Sequence, residues 1–329
     1  MTPARDRQPL PEHPKPMLAT LGTLPPARED ERWAYEMKWD GVRSLVRLDH
    51  GRTQLISRND IDMVASYPEL VPLGALVGRR QMLLDAEIVS FDEHGRPSFS
   101  RLQKRMHISS APAAQQLASA DPVVLLIFDL LHLAGESLVQ LPYVERRRRL
   151  EALNLSGPAW QTPPVFHGDG AEAVQVSQAG QLEGVMAKRL ASPYRYGRRS
   201  PDWVKVKNVR TQEVIVGGWK PGAGRRTGAI GALLLGIPSE DGLVYVGKVG
   251  TGFTDAILTD LGRRLEPLRR SSCPFVEVPR PDTREVQWVT PRLVGEVAFT
   301  EWTPEGRLRH PSWRGLRPDK RPDEVVRES

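Results

Sequence analysis

Cysteine is almost absent from this chain of 329 residues, since Cys273 is the only one. A single thiol excludes an internal disulfide, and it also excludes the multi-cysteine zinc sites around which small finger domains fold. The chain must therefore be stabilised mainly by the burial of apolar side chains. This composition is typical of a protein in a reducing compartment, and we expect it in the cytoplasm.

Long hydrophobic runs are also missing. The most apolar stretch, residues 123–133, has roughly a third to a half of the length that a membrane-spanning helix requires, and Asp129 and His132 interrupt it. The N-terminus has basic residues but no apolar segment after them, so no secretory signal is expected. The sequence predicts that the chain neither crosses a membrane nor is exported.

Neither sign of charge dominates strongly. The chain has 46 Lys and Arg against 40 Asp and Glu, which gives a net charge of +6 and an isoelectric point near 9.6. This modest excess suits a polyanionic partner but does not identify one. Apolar residues at 40% and charged residues at 26% are usual for globular proteins. The length favours two domains, at about 150 residues per domain.

Prolines are concentrated at the N-terminus, where residues 1–29 contain seven of them. This composition predicts a linker-like arm over residues 1–16, with ordered structure beginning near Met17. A domain over residues 17–209 follows, in which strands and helices mix without regular βαβ alternation, and this favours an α+β fold. Its strands are expected within residues 33–57, around a hairpin turn at 49–51, and at 82–91, and its helices at 67–77, 99–106, 143–153 and 170–180.

Residues 210–329 have a different pattern, with short strands and many glycines at the turns. Five strands and one helix in about 100 residues are what a small closed or partly closed barrel such as an OB-fold requires. The strands are expected at residues 213–219, 229–237, 243–249, 285–290 and 293–302, and the helix at 255–265.

A lysine lies where one predicted strand passes through a turn into the next. Lys38 begins a K-x-D-G sequence that includes Asp40 and Gly41, and Arg43 follows two positions later. So short a match occurs by chance often enough to be only suggestive. The alternative is a solvated lysine beside a turn, and the elements downstream decide between the two.

Two carboxylates, Asp85 and Glu87, lie two positions apart on a predicted strand and therefore point to the same face. Phe128 and Asp129 lie within the apolar stretch described above. A structural role stays open for the carboxylates, and Phe128 taken alone is more simply explained as a core residue.

Two lysines alternate with valines near the end of the first predicted domain. Lys205 and Lys207 must point to one face of their strand, while Val204 and Val206 point into the core. Neighbouring cations on one face repel each other unless an anion or solvent lies between them. A phosphate group would explain the arrangement.

Together these elements resemble the motifs of the covalent nucleotidyltransferase superfamily, which contains ATP-dependent DNA ligases, RNA ligases and mRNA capping enzymes. The resemblance covers residues 17–327, and the elements occur in the family's order. The sequences at residues 16–19, 130–132 and 315–317 look most like the ligase module of bacterial ligase D, which works in non-homologous end joining. The matching elements are Lys38 to Gly41, Ser57 and Arg58, Asp85 to Glu87, Phe128 and Asp129, Glu183 to Lys188, Trp203 to Lys207, and Arg317 to Lys320.

The resemblance implies an α+β nucleotidyltransferase (adenylation) domain followed by an all-β OB-fold barrel domain, with a hinge near residue 210. It implies an ATP-dependent DNA ligase: Lys38 forms a covalent lysyl-AMP, AMP passes to a DNA 5′-phosphate, and the 3′-hydroxyl seals the nick or end. ATP and Mg²⁺ or Mn²⁺ are the implied cofactors. The implied partners are nicked or broken duplex DNA, a Ku-like end-binding protein and a polymerase module, for a monomer associated with the bacterial nucleoid.

The resemblance also assigns roles to individual residues. The adenine is expected between Phe128 and Met186, with selectivity near Glu36, and Arg43 is expected at the ribose. Lys188, Lys205, Lys207 and a divalent cation are expected to lower the pKa of Lys38. Catalytic roles are implied for Lys38, Asp40, Lys205, Lys207, Asp319 and Lys320. Nucleotide contacts are implied for Glu36, Met37, Lys38, Arg43, Arg58, Glu87, Phe128, Met186, Lys188, Lys205, Lys207 and Arg317, and metal binding for Glu87 and Glu183.

Two further basic segments have different interpretations. Residues 188–210 contain eight basic residues and one acid, Asp202, which favours contact with several phosphates. The run Arg146 to Arg149 lies on a predicted helix between two glutamates, so we expect its arginines to fan around a solvated surface.

Rival functions remain open from the sequence. Within the superfamily, an RNA ligase or a capping-type guanylyltransferase would differ in the nucleotide attached to the protein. Outside it, a non-catalytic DNA-binding clamp could keep the fold. The intact Lys38, Glu87, Glu183, Lys205 and Lys207 argue against that last alternative.

Overall fold

The computed structural model describes residues 8–222 and 229–328. The chain divides into two compact units, Met1–Asn208 and Val209–Ser329. The first unit mixes strands and helices, whereas the second is mainly β with one α-helix among its described residues. This order is the one expected from the sequence.

The first unit contains two sheets. Sheet A has the order β1, β11, β10, β2, β9, and every pairing in it is antiparallel except that of β1 with β11. Its central strand β10 brings residues that are distant in sequence side by side, because it pairs with β2 on one edge and β11 on the other. The bounds are β1 (Leu18–Leu21), β2 (Trp33–Lys38), β9 (Phe166–His167), β10 (Gly184–Arg189) and β11 (Arg199–Lys207).

Sheet B has the order β4, β3, β5, β6, β7, and the short strand β8 pairs with β6. The expected hairpin between its first two strands is confirmed, because His50 and Gly51 both have positive φ, as a tight hairpin turn requires. The bounds are β3 (Val42–Asp49), β4 (Arg52–Ser57), β5 (Met82–Ser90), β6 (Val123–Leu133), β7 (Glu136–Ser137) and β8 (Trp160–Gln161).

Helices cover the outer faces of both sheets. Three of the four helices expected from the sequence occur within a residue of their predicted ends, whereas the one expected at residues 67–77 is two 3-10 turns followed by α1. Pro68 and Pro72 each begin one of these short segments, which fits the preference of proline for the first turn. The helices are α1 (Pro72–Val77), α2 (Phe99–Arg105), α3 (Ala111–Ala120), α4 (Tyr143–Ala152) and α5 (Gly170–Ala179).

Three apolar clusters hold the first unit together. One packs the outer face of sheet B against the helices, and another packs the outer face of sheet A against α5. The third, which includes Leu45, Leu83 and Trp203, joins residues from the two sheets on their inner faces. Polar side chains on these inner faces therefore lie in a confined space between the sheets.

The N-terminal arm differs from expectation. Leu10 is only 4% exposed and belongs to the inner cluster, while Gln8 and Lys15 make backbone hydrogen bonds with Gly135 and Gly197. Order therefore begins before Met17, because even a proline-rich segment can dock when it buries an apolar side chain. Residues 1–7 of the predicted arm lie outside the described residues.

The second unit is built on a sheet of order β14, β13, β12, β16, β17, with β15 pairing with β12. Its α-helix matches the predicted bounds, but the strand expected at residues 285–290 is reduced to two residues. The bounds are β12 (Thr211–Pro221), β13 (Ile230–Ser239), β14 (Gly242–Val249), α6 (Asp255–Leu265), β15 (Gln287–Trp288), β16 (Val294–Ala298) and β17 (Ser312–Leu316).

Within the part of the chain that the structure describes, no helix is both long and apolar enough to span a bilayer.

Candidate active site

Lys38 is the last residue of β2, and its side chain points into the space between the two sheets. Strand alternation places Glu36 on the same face, and β10 brings Gly184 opposite Lys38 and Met186 opposite Glu36. Met37 points the other way and is 9% exposed in the cluster beneath α5. The Met37 side chain therefore packs away from the space between the sheets, and the expected contact of Met37 with a nucleotide stays a prediction.

The glycine of the K-x-D-G motif has a steric reason. A Cβ on Gly41 would lie 2.3 Å from the carbonyl oxygen of Ile88 and 2.8 Å from the Glu87 side chain. Any larger residue at position 41 would push the start of β3 away from β5, close to the end of β2 where Lys38 lies. The motif therefore fixes the approach of Glu87 toward the lysine.

Lys38 lies among carboxylates. Its ammonium donates a hydrogen bond to Glu183, whose other oxygen lies 3.8 Å from the ammonium of Lys207. Burial acts to lower the pKa of Lys38, but the charges of Glu183, Glu87 and Asp40 outweigh it and raise that pKa. The expected lowering of the Lys38 pKa included a bound divalent cation and stays a prediction for the loaded site, whereas the carboxylates raise that pKa in the protein alone.

A second lysine, Lys188, lies at the other end of the same sheet face and is 1% exposed. Its ammonium lies 2.8 Å from each oxygen of Glu36, and the rings of Phe128 and Trp203 lie 4.4 and 4.3 Å away. Burial lowers its pKa, although Glu36 opposes that shift. Lys188 therefore pairs directly with Glu36, and its expected contribution to the positive field around Lys38 stays a prediction.

Arg43 and Asp85 form a fork between the sheets. Nε and Nη2 of Arg43 donate to the two Asp85 oxygens at 2.9 and 2.6 Å, and the Tyr194 hydroxyl donates to Asp85 at 2.6 Å. The guanidinium also lies 5.4 Å from the ring centre of Phe128. Asp85 is thus buried and holds the Arg43 guanidinium in place. Of the two carboxylates on this strand, Asp85 therefore has a structural role.

Phe128 is only partly buried, unlike most of its neighbours on β6. Its ring meets Trp203 edge to face, with the centroids 6.5 Å apart, and the cations of Arg43 and Lys188 lie beside it. Met186, on the Glu36 face of β10, is also partly buried. Phe128 therefore borders both the core and the polar space, and its expected contact with adenine stays a prediction.

Two other predicted residues lie on sheet B. Glu87 is opposite Arg43 in the register of β3 and β5, and it is partly buried. Arg58 follows β4 and is also partly buried. On β11, Lys205 lies opposite Met186 and Lys207 opposite Gly184, so both lysines share the face that carries Lys38.

The arginine run on α4 is not a solvated surface. Arg146 is fully buried and Arg147 is 4% exposed, whereas the Arg148 side chain is 70% exposed and pairs with Glu145. The prediction that all four fan around the surface is therefore wrong. The missed signal is a helical stripe, since Tyr143, Arg146, Arg147 and Leu150 follow the spacing of a buried face.

The predicted C-terminal motif lies in the second unit. Arg317 donates to both oxygens of Asp319 at 2.9 and 2.7 Å, and Lys320 lies 2.9 Å from Glu213. Glu213 and Glu296 are direct cross-strand partners, and Arg317 approaches both of them. Burial would raise the pKa of Glu213, but Lys320 and Arg317 lower it. Sequence reasoning missed both glutamates, because their pairing depends on strand register.

The donor chemistry around Lys38 fits a hard cation. Among the described residues, no group of three or more His, Cys, Asp and Glu side chains converges as a closed metal cage. Glu183 and Glu87 both act on Lys38 electrostatically, so two carboxylates lie close to it. Mg²⁺ is usually bound by one or two carboxylates together with substrate phosphates, and these two residues fit that pattern.

Comparison with known families matches both units. Residues 16–207 match the model described as ATP dependent DNA ligase domain, and residues 226–320 match ATP dependent DNA ligase C terminal region. The arrangement of a nucleotidyltransferase domain and a C-terminal OB-fold domain is that of solved ATP-dependent ligases. The expected fold class is confirmed.

Individual proteins agree. The multifunctional non-homologous end joining protein LigD of Mycolicibacterium smegmatis is 45% identical over 97% of this chain, and that of Pseudomonas aeruginosa is 41% identical over 98%. The chain spans 40% and 37% of their lengths. A solved mycobacterial DNA ligase D complexed with ATP and MES is 43% identical, with a TM-score of 0.69, over 96% of this chain and 98% of that one. The chain belongs to the ATP-dependent DNA ligase family.

Proposed function

We propose that this chain is a DNA ligase unit that uses ATP to adenylate Lys38 and then seals 5′-phosphate nicks or ends in duplex DNA. The observation that carries the proposal is the placement of Lys38 on one sheet face with Glu183 and Lys207, while the other end of that face carries Glu36 beside the ring of Phe128. One end offers a nucleophile among phosphate-binding groups, and the other offers a ring and a fixed polar group for a base.

In the first step the Lys38 ammonium loses a proton, and its Nζ forms a bond with the α-phosphorus of ATP. The bond from that phosphorus to the oxygen bridging to the β-phosphate breaks, and pyrophosphate leaves. Lys205 and Lys207 bind phosphoryl oxygens, and Asp40 orients Lys38. A divalent cation, Mg²⁺ or Mn²⁺, held by Glu87 and Glu183 would supply charge that lowers the pKa of Lys38 and offsets that of the phosphates.

The nucleoside part of ATP binds at the other end of the face. The adenine stacks between Phe128 and Met186, and Glu36 accepts from its exocyclic amine. Lys188 holds Glu36 as its counter-ion. The fork of Arg43 to Asp85 holds the guanidinium beside the Phe128 ring, which supports a ribose contact.

In the later steps AMP passes to a DNA 5′-phosphate, and the 3′-hydroxyl attacks that phosphate to form the phosphodiester and release AMP. Arg58 binds a phosphate of the nucleotide or of the DNA through its planar fork of donors. The similarity to LigD proteins supports a role in end joining. A Ku-like end-binding protein and a polymerase module are the partners proposed on that basis.

The second unit acts in the first step. We place the adenylation domain at residues 17–209 and the OB-fold domain at residues 210–329. Arg317, Asp319 and Lys320 orient the departing pyrophosphate when the OB-fold domain closes over the nucleotide. Hinge motion near residue 210 is part of this proposal.

A nick-sealing assay tests the whole proposal. Labelled nicked duplex DNA is incubated with the protein and Mg²⁺ or Mn²⁺, with ATP, with NAD or without nucleotide. We expect sealing with ATP only, apart from one turnover by any protein isolated with AMP attached. Sealing driven by NAD, or a covalent adduct formed from labelled GTP instead of ATP, would refute the proposal.

A further inference from the structure

The helix α4 contains the arginine run that no part of the proposed mechanism uses. Its buried stripe, Tyr143, Arg146 and Arg147, faces the inner side of the nucleotide site, and none of the three is more than 4% exposed. Arginines are rarely buried unless they have hydrogen-bond or charged partners. The partners of Arg146 and Arg147 therefore indicate why these side chains are buried. The partners lie on two different strands.

The first partner is Glu36. The Tyr143 hydroxyl donates a hydrogen bond to Glu36 Oε1, and Nη1 of Arg147 lies 3.8 Å from the same oxygen. Arg147 is itself held by Glu151 at 2.7 Å and by the carbonyl oxygen of Pro163. With Lys188 at 2.8 Å, Glu36 is surrounded by donors and cations. Both oxygens of Glu36 therefore serve as hydrogen-bond acceptors in these contacts.

The second partner is Asp129, the neighbour of Phe128. Nε and Nη2 of Arg146 donate to its two oxygens, both at 2.8 Å, and neither side chain is exposed. Nη1 of Arg146 donates to the carbonyl oxygens of Leu141 at 2.7 Å and Ser192 at 2.9 Å. These hydrogen bonds of Arg146 all go to Asp129 or to main-chain carbonyl groups. They therefore hold in place the segment of β6 that carries the Phe128 ring.

We propose that α4 sets the base specificity of this ligase: Tyr143 and Arg147 are positioning residues for Glu36, and Arg146 is a positioning residue for Phe128. The inference rests on the proposed function and adds residues that touch no substrate. A Glu36 carboxylate held in place by these donors accepts from the amine of adenine, whereas it would repel the carbonyl oxygen of guanine, which also only accepts. Phe128 stacks on either base, because every base has a flat apolar face.

The two halves of the proposal give different kinetic signatures. Tyr143→Phe removes one hydroxyl and little volume. We expect it to raise the KM for ATP in single-turnover self-adenylation about tenfold, to leave kcat within about twofold, and to reduce the preference for ATP over GTP about tenfold. Arg147→Met should act in the same direction, and Arg147→Lys should recover part of the loss.

Arg146→Lys keeps the charge but cannot form the fork to Asp129. We expect it to raise the KM for ATP and GTP by the same factor, about tenfold, with selectivity unchanged. Arg148→Ala is the matched control on the exposed side of α4, and it should change neither KM nor selectivity. Circular dichroism and thermal unfolding of each variant separate a local effect from loss of the fold.

Three results would overturn the inference. The first is that the Tyr143→Phe and Arg147→Met variants remain folded and keep the wild-type KM for ATP and the wild-type preference for ATP over GTP. The second is a loss in Arg148→Ala equal to theirs, which would show general dependence on helix stability. The third is unfolding of all the buried-stripe variants, including the conservative Tyr143→Phe and Arg147→Lys, which would make the stripe purely structural. Failure of the proposed function is distinguishable, since the wild-type protein would then form no AMP adduct.

Discussion

Two lysines on one sheet face, Lys38 and Lys188, each pair with a glutamate, yet their pKa values shift in opposite directions. Lys38 has a side chain that is 21% exposed, and several carboxylates surround it. Lys188 is buried among aromatic rings and has Glu36 as its direct partner. A Lys–Glu pair therefore shifts the pKa of its lysine in a direction that depends on the groups around the pair.

Under the proposed function, this difference corresponds to a reactive end at Lys38 and a recognition end at Lys188. The carboxylates around Lys38 raise its pKa in the protein alone, so we infer that activation requires the positive charge of the divalent cation that binds with ATP. The pair at Lys188 is buried and its two charges face each other, which fits the proposed role of orienting a base without reacting. The following predictions test this division, from the largest effect to the smallest.

The largest effect is expected at the reactive end. Lys38→Ala removes the nitrogen nucleophile, so it should abolish both the AMP adduct and nick sealing by protein that is not already adenylated. The measurement is incorporation of labelled AMP together with sealing of labelled DNA. Lys104→Ala, with a side chain that is 57% exposed in the native protein, is the control and should retain both activities. Full adduct yield on the Lys38 variant would assign the nucleophile elsewhere.

At the recognition end, Lys188→Met should destabilise the protein by about 3 to 5 kcal/mol, because it leaves Glu36 buried without its closest cation. Chemical unfolding of the first unit measures this loss. The double variant Glu36→Gln with Lys188→Met should recover much of the stability, since no unpaired charge remains, but not the selectivity for ATP. If the double variant instead loses as much stability as the two single variants added together, the two side chains are not coupled.

The C-terminal motif should affect only the step that releases pyrophosphate. Asp319→Ala combined with Lys320→Ala should slow self-adenylation about 100-fold, as loss of charge-stabilising groups does in other active sites. Sealing of DNA that already carries 5′-AMP should change little, since that substrate has no pyrophosphate to orient. Arg321→Ala, at an exposed neighbouring position, is the control. Equal losses in both steps would leave the motif with a structural or DNA-binding role.

The smallest effect is expected at the stacking ring. Phe128→Ala should weaken ATP binding by about 1 to 3 kcal/mol, because one flat face of the adenine pocket is lost. The dependence of the single-turnover adenylation rate on ATP concentration measures the change. Phe128→Leu keeps apolar volume without a ring and should recover only part of the loss. Normal ATP dependence in a folded Phe128→Ala variant would assign the ring to the core alone.

The sequence predicted the structure correctly where neighbouring residues alone determine it. The helix α6 has the predicted bounds because Thr254 caps it, accepting from the Ile257 amide at 3.3 Å, and because Leu258, Leu261 and Leu265 form a buried stripe. The turn at Gly41 likewise follows from the sequence order of its motif. The bounds of α6 depend on no distant partner, whereas the steric requirement for Gly41 comes from Ile88 and Glu87 on β5.

The wrong predictions for the arginine run on α4 and for the N-terminal arm concern residues whose environment is set by distant segments. Arg146 is buried because Asp129 lies on a neighbouring strand, and Lys188 is neutralised because sheet register brings Glu36 beside it. Leu10 docks because the inner cluster offers it an apolar surface. Composition around each residue predicted solvent or phosphate, since sequence spacing does not encode which segments pack together.

The central claim is that chemistry occurs at Lys38 and recognition at Lys188. Its most direct test is to incubate the wild-type protein with ATP and Mg²⁺ or Mn²⁺, quench it under conditions that preserve a phosphoramide, and locate AMP by peptide mass spectrometry. The account predicts AMP on Lys38 and on no other lysine. AMP attached to Lys188, Lys205 or Lys207 in place of Lys38 would contradict it.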